Sequence, residues 1–383
     1  MGASNRRRSL AAVIASMVVV NLVYGLTLPL LSLVLDAQGI SKTVIGLSIM
    51  CQASAGLVLA PWMPRLIVRL GAARLMQLAT LVAALTLLAL GLVQDVYAWF
   101  PIRFLLGAAA AVLWSASEAV INELAEDQWR GRIIGIYGSA GAAGFAMGPL
   151  ILILTGSDGL MPFTVTAALI VVAGLPLFWL PSRADGNAES EQTGLSRLFT
   201  LVPHIFLLNL TYAAAVEAFV AFFPLYGIHI GLGEARTLSL LTTFAVGGIV
   251  LQLPLGWLAD HMQRQRLLLA CIVFTAVGFL FLPNAISHDI GGPVFAFVLG
   301  GVEGMIYALG VILLGQRFRG ADLAAASVLF TGMWGAGTML GPALVGAGMD
   351  LLGNGAMTWL IAGIFVAYLP VLLTVGRSRS ARG

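Results

Sequence analysis

Twelve apolar stretches, each about twenty residues or more, limit what this chain can fold into. They run over 10–35, 43–64, 75–94, 98–123, 133–155, 160–180, 200–226, 236–258, 267–286, 292–316, 323–347 and 355–375. As a helix, each is long enough to cross about 30 Å of hydrocarbon. Backbone groups in that medium must be satisfied within the segment, and the stretches are too long and too evenly apolar for barrel strands. The expected fold is an all-α membrane protein of twelve transmembrane helices. Composition agrees, because 60% of the residues are hydrophobic and 10% charged, against about 25% charged in soluble domains.

Twelve crossings put both termini on one face, and the basic residues say which. Seventeen arginines, among them Arg6, Arg7, Arg8, Arg65, Arg69, Arg74, Arg264, Arg266, Arg317 and Arg319, fall at the termini or in the loops of that face. The opposite face has two, Lys42 and Arg236, and Arg103 lies near the outer end of span four. The positive-inside rule then places both termini in the cytoplasm, with the chain integral to the cytoplasmic membrane. Arg6 to Arg8 read as an anchor for span one. The apolar run behind them is too long for a signal peptide, and a twin-arginine export signal is the alternative.

Several functions drop out. The isoelectric point near 9.1 comes from scattered arginines, with no basic face carrying interleaved aromatics, so nucleic acid is not an expected partner. The four histidines are widely spaced and suggest no metal site. Cys51 and Cys271 fall inside spans and read as packing residues. No nucleotide motif or catalytic set supports an enzyme, and no cofactor is expected. The glycine-rich runs Gly138–Gly148 and Trp334–Gly341 lie mid-helix, where close packing explains them better than phosphate binding.

The longest polar interruption, Pro181 to Arg197, is charged and lacks aromatics. It divides the chain into a six-helix bundle over 1–180, a cytoplasmic linker over 181–199 and a second bundle over 200–383. The bundles repeat. Asn21 and Tyr24 recur as Asn209 and Tyr212 at an offset of 188. Gly107, Gly144, Gly148 and Pro149 recur as Gly300, Gly337, Gly341 and Pro342 at an offset of 193. Several matches at nearly one offset, in corresponding spans, indicate duplication and a pseudo-two-fold axis.

Three local patterns then resemble the major facilitator superfamily over essentially the whole chain. Gly256, Asp260 and Arg264 are in the spacing of its loop motif, Arg103 to Gly107 resembles its span-four arginine motif, and Gly135, Gly144, Gly148 and Pro149 resemble its span-five antiporter motif. Leu152 and Ile153 stand where the trailing glycines of that last motif would be. In the first-half loop Arg65 occupies the motif's aspartate position. The resemblance implies that this aspartate closes a cytoplasmic gate, so the expectation here is a swapped pair, Arg65 or Arg69 with Asp322. It also implies that spans one, four, seven and ten line a central cavity, and that the protein is a monomer.

Of the seventeen acids, Glu118, Glu217 and Glu303 lie well within spans four, seven and ten. An ionisable group at that depth costs on the order of 3 kcal/mol and should face a cavity or a partner. Desolvation disfavours a charged carboxyl, so such groups can take up and release protons. These three are the expected proton-coupling residues. Asn21, Tyr24, Trp114, Asn209, Tyr212 and Tyr307 are expected to line the substrate cavity, and Trp334 is a further aromatic that could. Three acids and no lysine disfavour an anionic substrate. The expectation is a secondary transporter of a small neutral or cationic amphiphilic molecule, working by alternating access in membrane lipid and exporting by proton antiport. Proton-coupled uptake of a nutrient or metabolite is one alternative. A non-transporting membrane receptor or assembly protein is another.

Overall fold

The computed structural model describes residues 3–124, 129–180 and 195–380. Most of the interruption expected to be a linker, residues 181–194, lies outside them. Fifteen α-helices follow in order: α1 (Ala3–Ala37), α2 (Lys42–Leu59), α3 (Met63–Leu70), α4 (Ala72–Leu92), α5 (Val96–Leu124), α6 (Arg130–Thr155), α7 (Met161–Gly174), α8 (Leu195–Leu201), α9 (Pro203–His229), α10 (Glu234–Val250), α11 (Gln252–His261), α12 (Arg264–Ala285), α13 (Gly291–Arg317), α14 (Gly320–Leu352) and α15 (Ala356–Ser380). There is no strand among the described residues. Ten helical stretches are long and apolar enough to cross a membrane. The bent pair α10 and α11 makes an eleventh, and the shorter apolar helix Ala356–Leu372 occupies the place of the twelfth.

Two of the expected spans are not single straight rods. α10 and α11 meet at Leu251 with a 41° bend. α2 gives way to a 3-10 turn at Ala60–Trp62 before α3 begins. Pro61 and Pro254 lie at or just past these two breaks, again 193 residues apart. Each removes a backbone donor and crowds the preceding turn.

The chain packs as two compact units: Met1–Gln38 with Cys51–Glu189, and Gly39–Met50 with Ser190–Gly383. In the first unit α1 lies against α6 with almost no side-chain layer between them. A Cβ on Gly148 would overlap the backbone of Gly25, and one on Gly144 would press on Val18. The second unit repeats this between α9 and α14, where a Cβ on Gly341 would overlap Ala214 and one on Gly337 would overlap Leu210. Between apolar helices in lipid, van der Waals contact supplies the attraction, and small residues let backbones approach.

The second unit also has an aromatic core. Phe219 packs on Phe223 and Phe244 at 4.7 Å and on Phe279 at 5.2 Å between ring centroids. A second cluster under the start of α9 joins Val202, Ile205, Phe206, Leu314, Phe318 and Phe330. In the first unit the guanidinium of Arg6 donates twice to the Leu124 carbonyl, at 2.8 and 3.2 Å. A cation at that point meets the negative end of α5.

Candidate functional site

In the second unit, three helices bring aromatic and acidic side chains to one place. α9 supplies Asn209, Tyr212 and Glu217; α13 supplies Glu303 and Tyr307, one turn apart; α14 supplies Phe330 and Trp334, also one turn apart. The one-turn spacing stacks each pair on a single helix face. Tyr212, Tyr307 and Trp334 form a closed triangle, with centroids 5.7 Å apart for Tyr212–Tyr307 and 5.4 Å for the two contacts to Trp334. Phe330 extends it at 5.8 Å from Tyr307. The tilted and edge-on angles, 33° to 85°, suit the ring quadrupoles. Tyr212 is buried at the back, while Tyr307 is 37% exposed and opens the cluster on one side.

The carboxyls sit behind the rings. Glu303 is 1% exposed and Glu217 5%. The Tyr212 hydroxyl lies beside the Glu303 carboxyl, and Glu217 is within electrostatic reach of both. Asn209 Nδ2 donates to the Phe330 carbonyl at 2.6 Å, tying α9 to α14. Three buried oxygens keep unused capacity: Asn209 Oδ1, Glu217 Oε2 and Glu303 Oε1. All three can accept a hydrogen bond, so a molecule bound here must bring donors, or protons must arrive instead.

The first unit is built differently. Asn21 Nδ2 donates to Met17, four residues back on its own helix, at 3.0 Å. Glu118 is half-buried one turn beyond Trp114. The indole N–H of Trp114 lies on the Glu118 side without closing a hydrogen bond. Ser117 and Tyr137 join their hydroxyls at 2.7 Å between α5 and α6. Arg103, fully buried, donates from Nε to Gln52 Oε1 at 3.2 Å. Tyr24 is half-buried on α1.

The residues expected to control conformation are dispersed. Gly144, Gly148 and Pro149 lie in the buried seam of α6, and Gly341 and Pro342 in that of α14. Gly256 and Asp260 belong to α11, and Asp260 faces Arg264 at 3.7 Å across the turn into α12. Those two residues border a surface cavity of about 480 Å³ that contains none of the aromatic cluster. Arg65 and Arg69 are exposed on α3, and Asp322 is exposed in the first turn of α14. Among the described residues no group of His, Cys, Asp and Glu is arranged to hold a metal.

Sequence reasoning did not single out Gln52, the Ser117–Tyr137 pair, Phe330 or Asp350. Gln52 and Ser117 had a signal, since each is a polar residue in an apolar helix. Phe330 had none, because a phenylalanine there is compatible with any packing.

Comparison with known proteins bears on the whole chain. The family model for the Major Facilitator Superfamily matches residues 13–242 and 205–383. An uncharacterized MFS-type transporter, YfkF of Bacillus subtilis (strain 168), is 25% identical over 364 residues, covering 93% of this chain and 92% of the relative. Another, YcaD of Escherichia fergusonii, is 24% identical over 317 residues, covering 82% of each. Two crystal structures of nucleoside transporter NupG superpose with TM-scores of 0.79 and 0.76 at 15% and 16% identity, covering 96% of this chain and 99% and 98% of theirs. The all-α architecture, the doubled span pattern and these matches together make the chain an integral membrane protein that belongs to the major facilitator superfamily of transporters.

Proposed function

We propose that the protein is a proton-coupled secondary transporter of a small neutral or cationic amphiphilic molecule, working as a monomer by alternating access and exporting by antiport. Glu118, Glu217 and Glu303 exchange the protons, and the Tyr212, Tyr307 and Trp334 rings form a wall against which the substrate stacks. The observation that carries this reading is the convergence of three rings and two buried carboxyls from three helices of one unit. Rings favour an apolar or planar ligand body. The unused acceptors favour a ligand that brings donors or positive charge, and they disfavour an anion. A carboxyl freed of its proton can hold such a ligand, which links substrate and proton at one place.

A thermal-shift screen of purified protein against metabolites and drugs at two pH values tests it. A bound ligand raises the apparent Tm by mass action. The expected result is stabilisation that depends on pH in the native protein and loses that dependence in Glu303→Gln. Equal pH dependence in Glu118→Gln, Glu217→Gln, Glu303→Gln and the native protein would remove the acids from coupling.

The second reading is proton-coupled uptake of a nutrient or metabolite. Likeness in fold to a nucleoside transporter supports counting metabolites among the candidate substrates and does not bear on direction. A nucleoside has a base to stack on the rings and hydroxyls to donate to the free oxygens. Nucleosides therefore belong in the panel, and inverted vesicles separate the directions. Substrate that dissipates a preset proton gradient in them supports export.

A further inference from the structure

The start of α2 is capped by a residue 308 positions away. Asp350, in the last turn of α14, accepts from Lys42 N at 3.0 Å on Oδ1, and from Thr43 N at 2.7 Å and Thr43 Oγ1 at 2.6 Å on Oδ2. The first N–H groups of any α-helix lack partners within it, and an anion there is favoured by the helix dipole. The local alternative is weak, because Ser41 Oγ reaches only the Val44 N–H, at 3.4 Å. For α14 the same carboxylate is misplaced, since the C-terminal end of a helix disfavours negative charge. The position of Asp350 makes sense for α2 and not for its own helix.

Backbone contact reinforces this cap. A Cβ on Gly46 would overlap the Pro342 backbone, and one on Gly346 would overlap the Lys42 carbonyl. Residues 39–50 accordingly pack with the second unit, while the rest of α2 packs with the first. α2 is continuous across that division, and it holds no glycine or proline between Gly46 and Gly56. Sharp bends need such residues or a break in the hydrogen-bond ladder. A rearrangement that drew residues 51–59 away from α14 would therefore release the first turns of α2 more readily than fold α2 in the middle.

We propose that Asp350 is a releasable latch that holds the start of α2 on the second unit at the face opposite the arginine-rich loops, and that its release is a step in the transport cycle. That the latch gates transport rests on the transport function proposed above. That it holds α2 does not.

Hydrogen exchange separates the two statements. In Asp350→Ala the amides of residues 42–46 should exchange at least about tenfold faster, the worth of losing hydrogen bonds to a charged acceptor. Amides of α4 should be unchanged, which controls for global unfolding. Thr43→Val removes one bond of the three and should give a smaller increase, and it serves if the alanine variant does not fold. Unchanged exchange in both variants overturns the latch. For gating, Thr43→Cys and Asp350→Cys are combined in a Cys51→Ser, Cys271→Ser background and bridged with a short reducible bifunctional thiol reagent. Bridging should stop transport, and reduction should restore it. Undiminished transport by bridged protein overturns the gate while leaving the cap intact. Loss of ligand response in the native protein counts against the transport reading and leaves the exchange result to decide the latch.

Discussion

Tyr24, Trp114 and Gly141 occupy in the first half the positions that Tyr212, Tyr307 and Trp334 occupy in the second, at the offsets that relate the two halves. The glycine seams match across this duplication. Gly148 on Gly25 repeats as Gly341 on Ala214, and both contacts are backbone to backbone. The polar and aromatic residues do not match. Gly141 packs on the side chains of Met17 and Asn21, which a side chain like that of Trp334 would have to displace. Glu303 corresponds to Ala110, and Glu118 to Val311. The buried polar atoms left over differ too. Around the second unit's ring cluster they are acceptors, whereas among the described residues of the first unit they include the donors Gln52 Nε2 and Trp114 Nε1. A scaffold can keep its symmetry while its chemistry diverges, because helix contact needs only small residues at fixed spacing.

The largest expected effect tests the shared part. Gly148→Val and Gly341→Val each force a branched side chain into a neighbouring backbone that cannot rotate away. Overpacking of ordinary cores costs about 1–3 kcal/mol, and contact with backbone should reach the top of that range or pass it. Both variants should lose most of their monodisperse protein on size exclusion, and to a similar degree. A large loss in one and none in the other would show that the seams are alike in sequence only.

A smaller effect tests the divergent part. Trp334→Gly gives the second half the residue that the first half has at 141. It removes two ring contacts, worth about 0.5–1.5 kcal/mol each beyond area. If the substrate stacks on this cluster, KM for a transported ligand should rise by about tenfold, with expression and apparent Tm less affected than in the glycine variants. An unchanged KM would reduce the cluster to packing.

How far the sequence announces these features depends on how local their cause is. Spans are legible because hydrophobicity averaged over twenty residues is what the bilayer selects. Glu217 and Glu303 stand out because a carboxylate in an apolar helix is expensive wherever it points. The bend at Leu251 is not legible by that averaging, which weighs Pro254 by polarity and is blind to its missing N–H. Trp334 reads as one aromatic among several until Tyr212 and Tyr307, on two other helices, are seen to enclose it. Asp350 is the least legible, since its meaning lies with Lys42 and Thr43, some 300 residues earlier.

The smallest effect concerns the two asparagines, which sequence makes equivalent and structure does not. Asn209 ties α9 to the Phe330 carbonyl of α14, whereas Asn21 bonds within its own helix to Met17. Hydrogen bonds between helices in membranes are worth about 0.6 kcal/mol on average. A bond from a side chain to its own preceding turn adds nothing between helices. Phe330 O retains the ordinary helical partner that α14 provides, so removing Asn209 does not strand it. Asn209→Ala should therefore lower the apparent Tm slightly but measurably, and Asn21→Ala should leave it nearly unchanged, both read on ligand-free protein in one detergent. Equal shifts would mean that the first asparagine also joins two helices in solution, and that the polar half of the duplication is more symmetric than its hydrogen bonds indicate.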